Sequence, residues 1–143
     1  MEVVPVLPVR VLIVDDQRPF LEAAARVVAA TEPFVVLGTV GSAEACLTAV
    51  PELAPDLVLM DVDLPGMDGV EAARRLALLS DPPAVVLVSS YDEETLAEVT
   101  AGTGLVYVTK STFGSDRLVA SWSLAKGIST RSTDASSSGS TRT

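Results

Sequence analysis

Apolar residues along this chain come in short blocks, each closed by a polar or glycine-proline break, and the blocks alternate in period. Residues 9–14, VRVLIV, are apolar and largely β-branched and run into Asp15-Asp16, which predicts a strand ending in a polar turn. Over residues 19–31, Phe20, Ala24 and Val27, with Leu21 and Val28 beside them, keep helical spacing, and Pro19 suits a first helical turn. Residues 34–40 form a second strand pattern between Pro33 and Gly41, and Ser42 is an N-cap for a helix to about residue 50, broken by Pro51 and Pro55. Residues 57–60 are apolar without alternation, as in a strand buried on both faces, and the run stops abruptly on Asp61. A loop holding Pro65-Gly66 leads to Asp68, an N-cap for a helix over 69–79. After Pro82-Pro83 a fourth strand, 84–88, ends on Ser89-Ser90. Asp92 then caps a helix to about Thr100, with Glu93 and Glu94 placed for its dipole. Gly102 and Gly104 end that helix. A fifth strand, 105–108, ends in Thr109-Lys110, and Ser115 or Asp116 starts a last helix to about Lys126.

Five strands thus alternate with five helices, and each connection is too long for a hairpin. That is the pattern of an α/β chain, (βα)₅, with a parallel sheet. Right-handed crossovers with helices on both faces give a doubly wound five-stranded sheet of order 2-1-3-4-5, whose ligands bind beyond the carboxyl ends of the strands near strand one. Residues 1–126 form one domain by this reading. Residues 127–143 change composition: ten of the seventeen are Ser or Thr and none is aromatic. Such a segment buries too little apolar surface to offset ordering, so it is expected to be a disordered tail.

Composition narrows the chemistry. Aromatic residues are only 4% of the 143, so Val, Leu and Ala must fill the interior. Cys46 is the one cysteine, which excludes an intramolecular disulfide and a multi-cysteine zinc site. The chain has no histidine, which removes imidazole bases, His triads and any role as a phosphohistidine carrier. A formal charge of −9 opposes contact with a nucleic-acid backbone and favours proteins or cations as partners. No apolar run approaches the ~18 residues of a membrane span, and MEVVPVLPVR lacks a basic n-region. Cytoplasmic residence is the expectation.

With this topology four strand ends converge: Asp15 and Asp16 after the first, Asp61 after the third, Ser89 after the fourth and Lys110 after the fifth. Crowded carboxylates repel unless a cation compensates. Oxygen donors without imidazole or thiolate suit Mg²⁺, which keeps several waters and leaves room for a phosphate oxygen. A phosphoryl group on one carboxylate would meet Mg²⁺ on one side and Lys110, one of only two lysines, on another. The Ser89 hydroxyl would be a donor to it.

The acidic pair, LVLMDVDLPGMDG around Asp61, Ser89 in VVLVSS, Tyr107, and Lys110 in VYVTK together resemble a response-regulator receiver domain of bacterial two-component signalling. The match covers residues 9–126. Ser111 after Lys110, where many members have proline, is similar to regulators carrying a LuxR-type helix-turn-helix. Ser90 stands where a small apolar residue is common. The resemblance implies a flavodoxin-like fold in which Asp61 accepts phosphate from the phosphohistidine of a cognate histidine kinase. It implies that Asp16, Asp61 and the backbone carbonyl of Asp63 hold Mg²⁺, with Asp15 assisting, and that Lys110 binds the phosphoryl group or pairs with Asp61. Ser89 would move toward the phosphate and Tyr107 would turn inward behind it. The fourth helix, fifth strand and last helix would then be the output face, and a homodimer through that face is the expected assembly. The domain would be no enzyme toward an external substrate, and would work alone or as the receiver portion of a longer regulator.

Simpler readings stand beside these. Asp15-Asp16 could cap the first helix, Ser89 could be a loop hydroxyl, and Tyr107 is as readily core packing as a switch. Trp122, with Leu118 and Ala125, reads as the buried stripe of the last helix, and Cys46 as a small buried apolar residue. Asp61-Val62-Asp63 also resembles the DxD signature of haloacid-dehalogenase-type phosphatases, although Leu64-Pro65 replace the small and hydroxyl residues expected there. A third possibility is a pseudo-receiver, a binding module indifferent to phosphate.

Overall fold

The computed structural model describes the backbone of residues 7–138 and the side chains of residues 7–127. The expected alternation is present. The strands are β1 (Val9–Val14), β2 (Phe34–Val40), β3 (Leu57–Asp61), β4 (Ala84–Ser89) and β5 (Val106–Thr109). The helices are α1 (Arg18–Ala29), α2 (Ala43–Leu53), α3 (Gly69–Leu76), α4 (Glu93–Val99) and α5 (Ser115–Ser138). All strand pairs are parallel and the order is β2-β1-β3-β4-β5. This is the doubly wound, flavodoxin-like arrangement that the alternation predicts. Among the described residues no helix is long and apolar enough to cross a membrane.

Strand alternation divides the core in two. Val11, Ile13, Leu57, Leu59, Val86, Val88 and Val108 face α1 and α5, where Ala24, Val28, Leu118 and Ala125 complete the cluster. Leu12, Val14, Val58, Met60 and Leu87 face α2, α3 and α4, meeting Cys46, Ala72, Leu76 and Leu96. Every residue of β3 is buried, as its unbroken apolar run requires of a central strand. The expected stripe on α5 is present: Leu118 and Ala125 are buried, and half-buried Trp122 packs against them.

Three predicted caps form. Ser42 Oγ accepts from Ala45 N at 3.0 Å, Asp68 Oδ1 from Glu71 N at 2.9 Å and Asp92 Oδ1 from Thr95 N at 2.8 Å. That bond holds the Asp92 carboxyl below the usual carboxylate range.

Helix ends are where local signals mislead. α2 passes through Pro51, at the cost of one intrahelical bond, and stops at Ala54 in the left-handed region, φ 49°. Arg10, at the start of β1, donates its guanidinium to the carbonyls of Leu53 and Ala54, so a tertiary contact satisfies the helix end. α3 closes at Leu76 rather than Leu79, because Leu76 is its last buried side chain and Leu78 is 82% exposed. α5 continues past the expected end near Lys126. Of the segment 127–143 expected as a disordered tail, the backbone of 127–138 continues α5, while the side chains from 128 and the whole of 139–143 lie outside the described residues.

Candidate functional site

Parity places the principal charges together. Asp15 follows Ile13, Asp61 follows Leu59 and Lys110 follows Val108 by one alternation, all on the face of α1 and α5. β1 and β3 are in register up to Val14 and Met60, so Asp15 and Asp61 are the next residues of neighbouring strands. Asp15 is fully buried and Asp61 is 3% exposed. Asp16 is exposed, yet oxygens of all three carboxylates lie within 4.8 Å of one another. Among the described residues this is the one group of three acids arranged to hold a metal ion.

Lys110 closes the cluster. Its Nζ stands 2.6 Å from Asp15 Oδ2 and 3.5 Å from Asp61 Oδ2, and donates weakly to Gln17 Oε1 at 3.5 Å. The nearer partner is therefore Asp15 rather than Asp61. That contact lies off hydrogen-bond alignment and leaves the buried Asp15 Oδ2 without a hydrogen-bond donor. Asp15 Oδ1 accepts from Gln17 N at 2.8 Å, and Asp61 Oδ1 from Asp63 N at 3.1 Å. Three carboxylates against one ammonium leave two formal negative charges uncompensated. Burial and the neighbouring Asp15 push the Asp61 carboxyl up to about 6, against the opposing pull of the Asp63 N–H and of Lys110. An under-partnered buried oxygen among oxygen-only donors fits a hard divalent cation such as Mg²⁺.

Ser89, buried at the end of β4, has the opposite parity and accepts from Tyr91 N at 3.1 Å. Tyr107 is half-buried on the α2–α4 side, paired in register with Leu87, so it contributes to core packing in this conformation. Ser89 and Tyr107 share that sheet face by alternation.

Two features escaped the sequence reading. Gly69, the first residue of α3, donates to the carbonyl of Val62 at 2.9 Å, and a Cβ built on it would lie 2.1 Å from the Asp61 carbonyl oxygen. A glycine directly after an N-cap residue was the available signal. Around Lys110, Gln17, Phe20 and Phe113 form a second layer, for which separations of up to 93 residues offer no local signal.

A family model described as the response regulator receiver domain matches residues 11–122. The chain is 42% identical over 86 residues to the response regulator GacA of Pseudomonas aeruginosa, which covers 60% of this chain and 40% of that protein. To the transcriptional regulatory protein LiaR of Bacillus subtilis it is 33% identical over 104 residues, 72% of this chain and 49% of the other. The chain thus spans under half the length of these curated relatives. Among solved structures, the signal receiver domain of the response regulator NarL from Mycobacterium tuberculosis superposes with a TM-score of 0.75 at 28% identity, covering 85% of this chain and 98% of that one. With a match across most of its length, the sheet order, and the acids and lysine at the strand ends, the chain belongs to the response regulator receiver domains of two-component systems.

Proposed function

We propose that this receiver accepts a phosphoryl group on Asp61 from a histidine kinase in a Mg²⁺-dependent reaction. The observation that carries the reading is the cluster of buried Asp15 and Asp61 with exposed Asp16, and a single lysine against it. A carboxylate oxygen of Asp61 attacks the phosphorus of the kinase phosphohistidine. The P–N bond breaks as the P–O bond forms, and the imidazole leaves with the bonding pair and takes a proton. Asp16, Asp61 and the Asp63 carbonyl, with Asp15, are the residues to hold Mg²⁺, which supplies positive charge to the phosphoryl oxygens. Asp63 N–H orients the Asp61 carboxylate through Oδ1. Lys110 shifts toward the incoming oxygens from its nearer partner Asp15, a compact cation on a flexible stem. Phosphoryl transfer through a loose transition state asks for this kind of positioning and charge neutralisation more than for side-chain acid–base work.

The acyl phosphate then biases two conformations. Ser89 gives up its bond from Tyr91 N to donate to the phosphate, and Tyr107 moves inward on the same sheet face. The α4–β5–α5 surface carries the change to a partner or to a second copy of the domain. By this reading the chain is a cytoplasmic signalling module and catalyses only its own phosphorylation and dephosphorylation. At a formal charge of −9 it makes no direct nucleic-acid contact itself.

Intact-mass spectrometry after incubation with a small phosphodonor and Mg²⁺ tests the reading. One phosphate adduct is expected on the wild type, and none on Asp61→Asn or after chelation of the metal. An unmodified wild type that is folded and binds Mg²⁺ would point instead to a phosphate-independent binding module.

A further inference from the structure

We infer that Phe20 is a positioning residue for Lys110, an inference that rests on the proposed phosphoryl transfer for its consequence. The Lys110 ammonium lies 4.7 Å from the centroid of the Phe20 ring, within the range of a cation–π contact. Phe20 meets Phe113 edge to face, with centroids 6.0 Å apart. Phe113 in turn follows the 3₁₀ turn Lys110–Thr112 and donates its N–H to the Lys110 carbonyl at 3.3 Å. The contacts therefore close on themselves: the turn that fixes the Lys110 backbone ends in the ring that braces the ring beneath the Lys110 ammonium.

This arrangement suits a lysine that must change partners. An ammonium has three directional donors, and in this site Asp61 and Gln17 accept from it at 3.5 Å while Asp15 is its ion-pair partner. The face of Phe20 attracts the charge without consuming a donor. A phosphoryl oxygen on Asp61 can thus claim an N–H while the aromatic contact persists. The lysine side chain is 12% exposed, so the contact is partly shielded from solvent. Restricting a long flexible side chain before reaction removes an entropy cost from the transfer step.

The test uses the full chain with Phe20→Leu, which keeps apolar bulk but removes the π-face, and Phe20→Tyr, which retains that face. The chain has two lysines, so lysine-selective ¹³C labelling gives two side-chain signals. Lys126, 5.5 Å from the Trp122 centroid, is the internal reference. In the wild type and the Tyr variant the Lys110 Hε protons are expected upfield, shifted by the Phe20 ring current. In the Leu variant that shift is lost and Lys126 is unchanged. The second-order rate of phosphorylation by a small phosphodonor with Mg²⁺ is expected to fall about fivefold in Phe20→Leu, the equivalent of ~1 kcal/mol, and to recover in Phe20→Tyr. The inference is overturned by an absent upfield shift in the wild type. It is equally overturned by a Leu variant that loses the shift yet reacts at the wild-type rate. If even the wild type takes up no phosphate, the proposed function fails, while the Lys110 resonance still decides whether Phe20 holds the ammonium.

Discussion

Replacing Asp61 by asparagine should make the metal-free protein more stable at neutral pH, although it removes the acceptor of the proposed reaction. The fold holds Asp61 beside a second buried carboxylate with one lysine shared between them, and its carboxyl is raised from 3.8 to about 6. At ~1.4 kcal/mol per pKa unit, this displacement corresponds to an upper bound of ~3 kcal/mol against the ionised folded state. Below about pH 4 the group is neutral in both the folded and unfolded chains and carries no penalty. Between about pH 4 and 6 the unfolded chain ionises while the folded one keeps its proton, so the wild type loses stability relative to the variant. Above about pH 6 the penalty is complete. Asparagine keeps an oxygen for the Asp63 N–H and removes the charge that Asp15 opposes, at the loss of a 3.5 Å contact with Lys110. The net gain expected above pH 7 is therefore ~2 kcal/mol, shrinking to nothing near pH 4. Urea unfolding of both proteins in chelator, from pH 4.5 to 8, measures it, since the comparison cancels the titrations of groups distant from Asp61. Added Mg²⁺ should narrow the gap, because the wild type alone keeps three carboxylates. Stabilities that run parallel across the whole range, or a gap that widens toward acid, would refute the account of Asp61 as a destabilising buried charge.

Two further expectations follow from particular contacts. Gly69→Ala sets a methyl 2.1 Å from the Asp61 carbonyl oxygen, so the β3 end or the start of α3 must move. A loss of ~1–3 kcal/mol in urea unfolding is expected, together with weaker Mg²⁺ binding by isothermal titration calorimetry; an alanine variant matching the wild type in both would exclude the close approach. Cys46 lies fully buried on α2's inner face and its thiol is pushed up to about 12 by burial. It should resist thiol reagents at pH 8 in the native protein and react promptly in urea, and rapid native labelling would show that this face of the core opens readily.

The order of elements, the parallel sheet and the acids at strand ends were legible because each is written in a few neighbouring residues. An apolar run that stops on a carboxylate marks a strand mouth, and Ser42, Asp68 and Asp92 mark helix starts through bonds to residues three along. Helix ends were less legible. Pro51 is a strong local stop signal, but Arg10 reaches across from β1 to satisfy the end of α2 three residues later. At α3 the burial of Leu76 and the exposure of Leu78 decided the end, and burial is a property of the packed layers rather than of the helix.

The sequence by itself determined which residues arrive at the carboxyl edge of the sheet, since strand parity and crossover handedness leave little freedom there. Only the tertiary structure decided how they meet. Lys110 stands nearer Asp15 than Asp61, Phe20 and Phe113 lie beneath and beside it, and Gly69 lets α3 press against the Asp61 carbonyl. Such contacts join residues distant along the chain, and their distances follow from strand register and helix packing, which no local run of residues encodes.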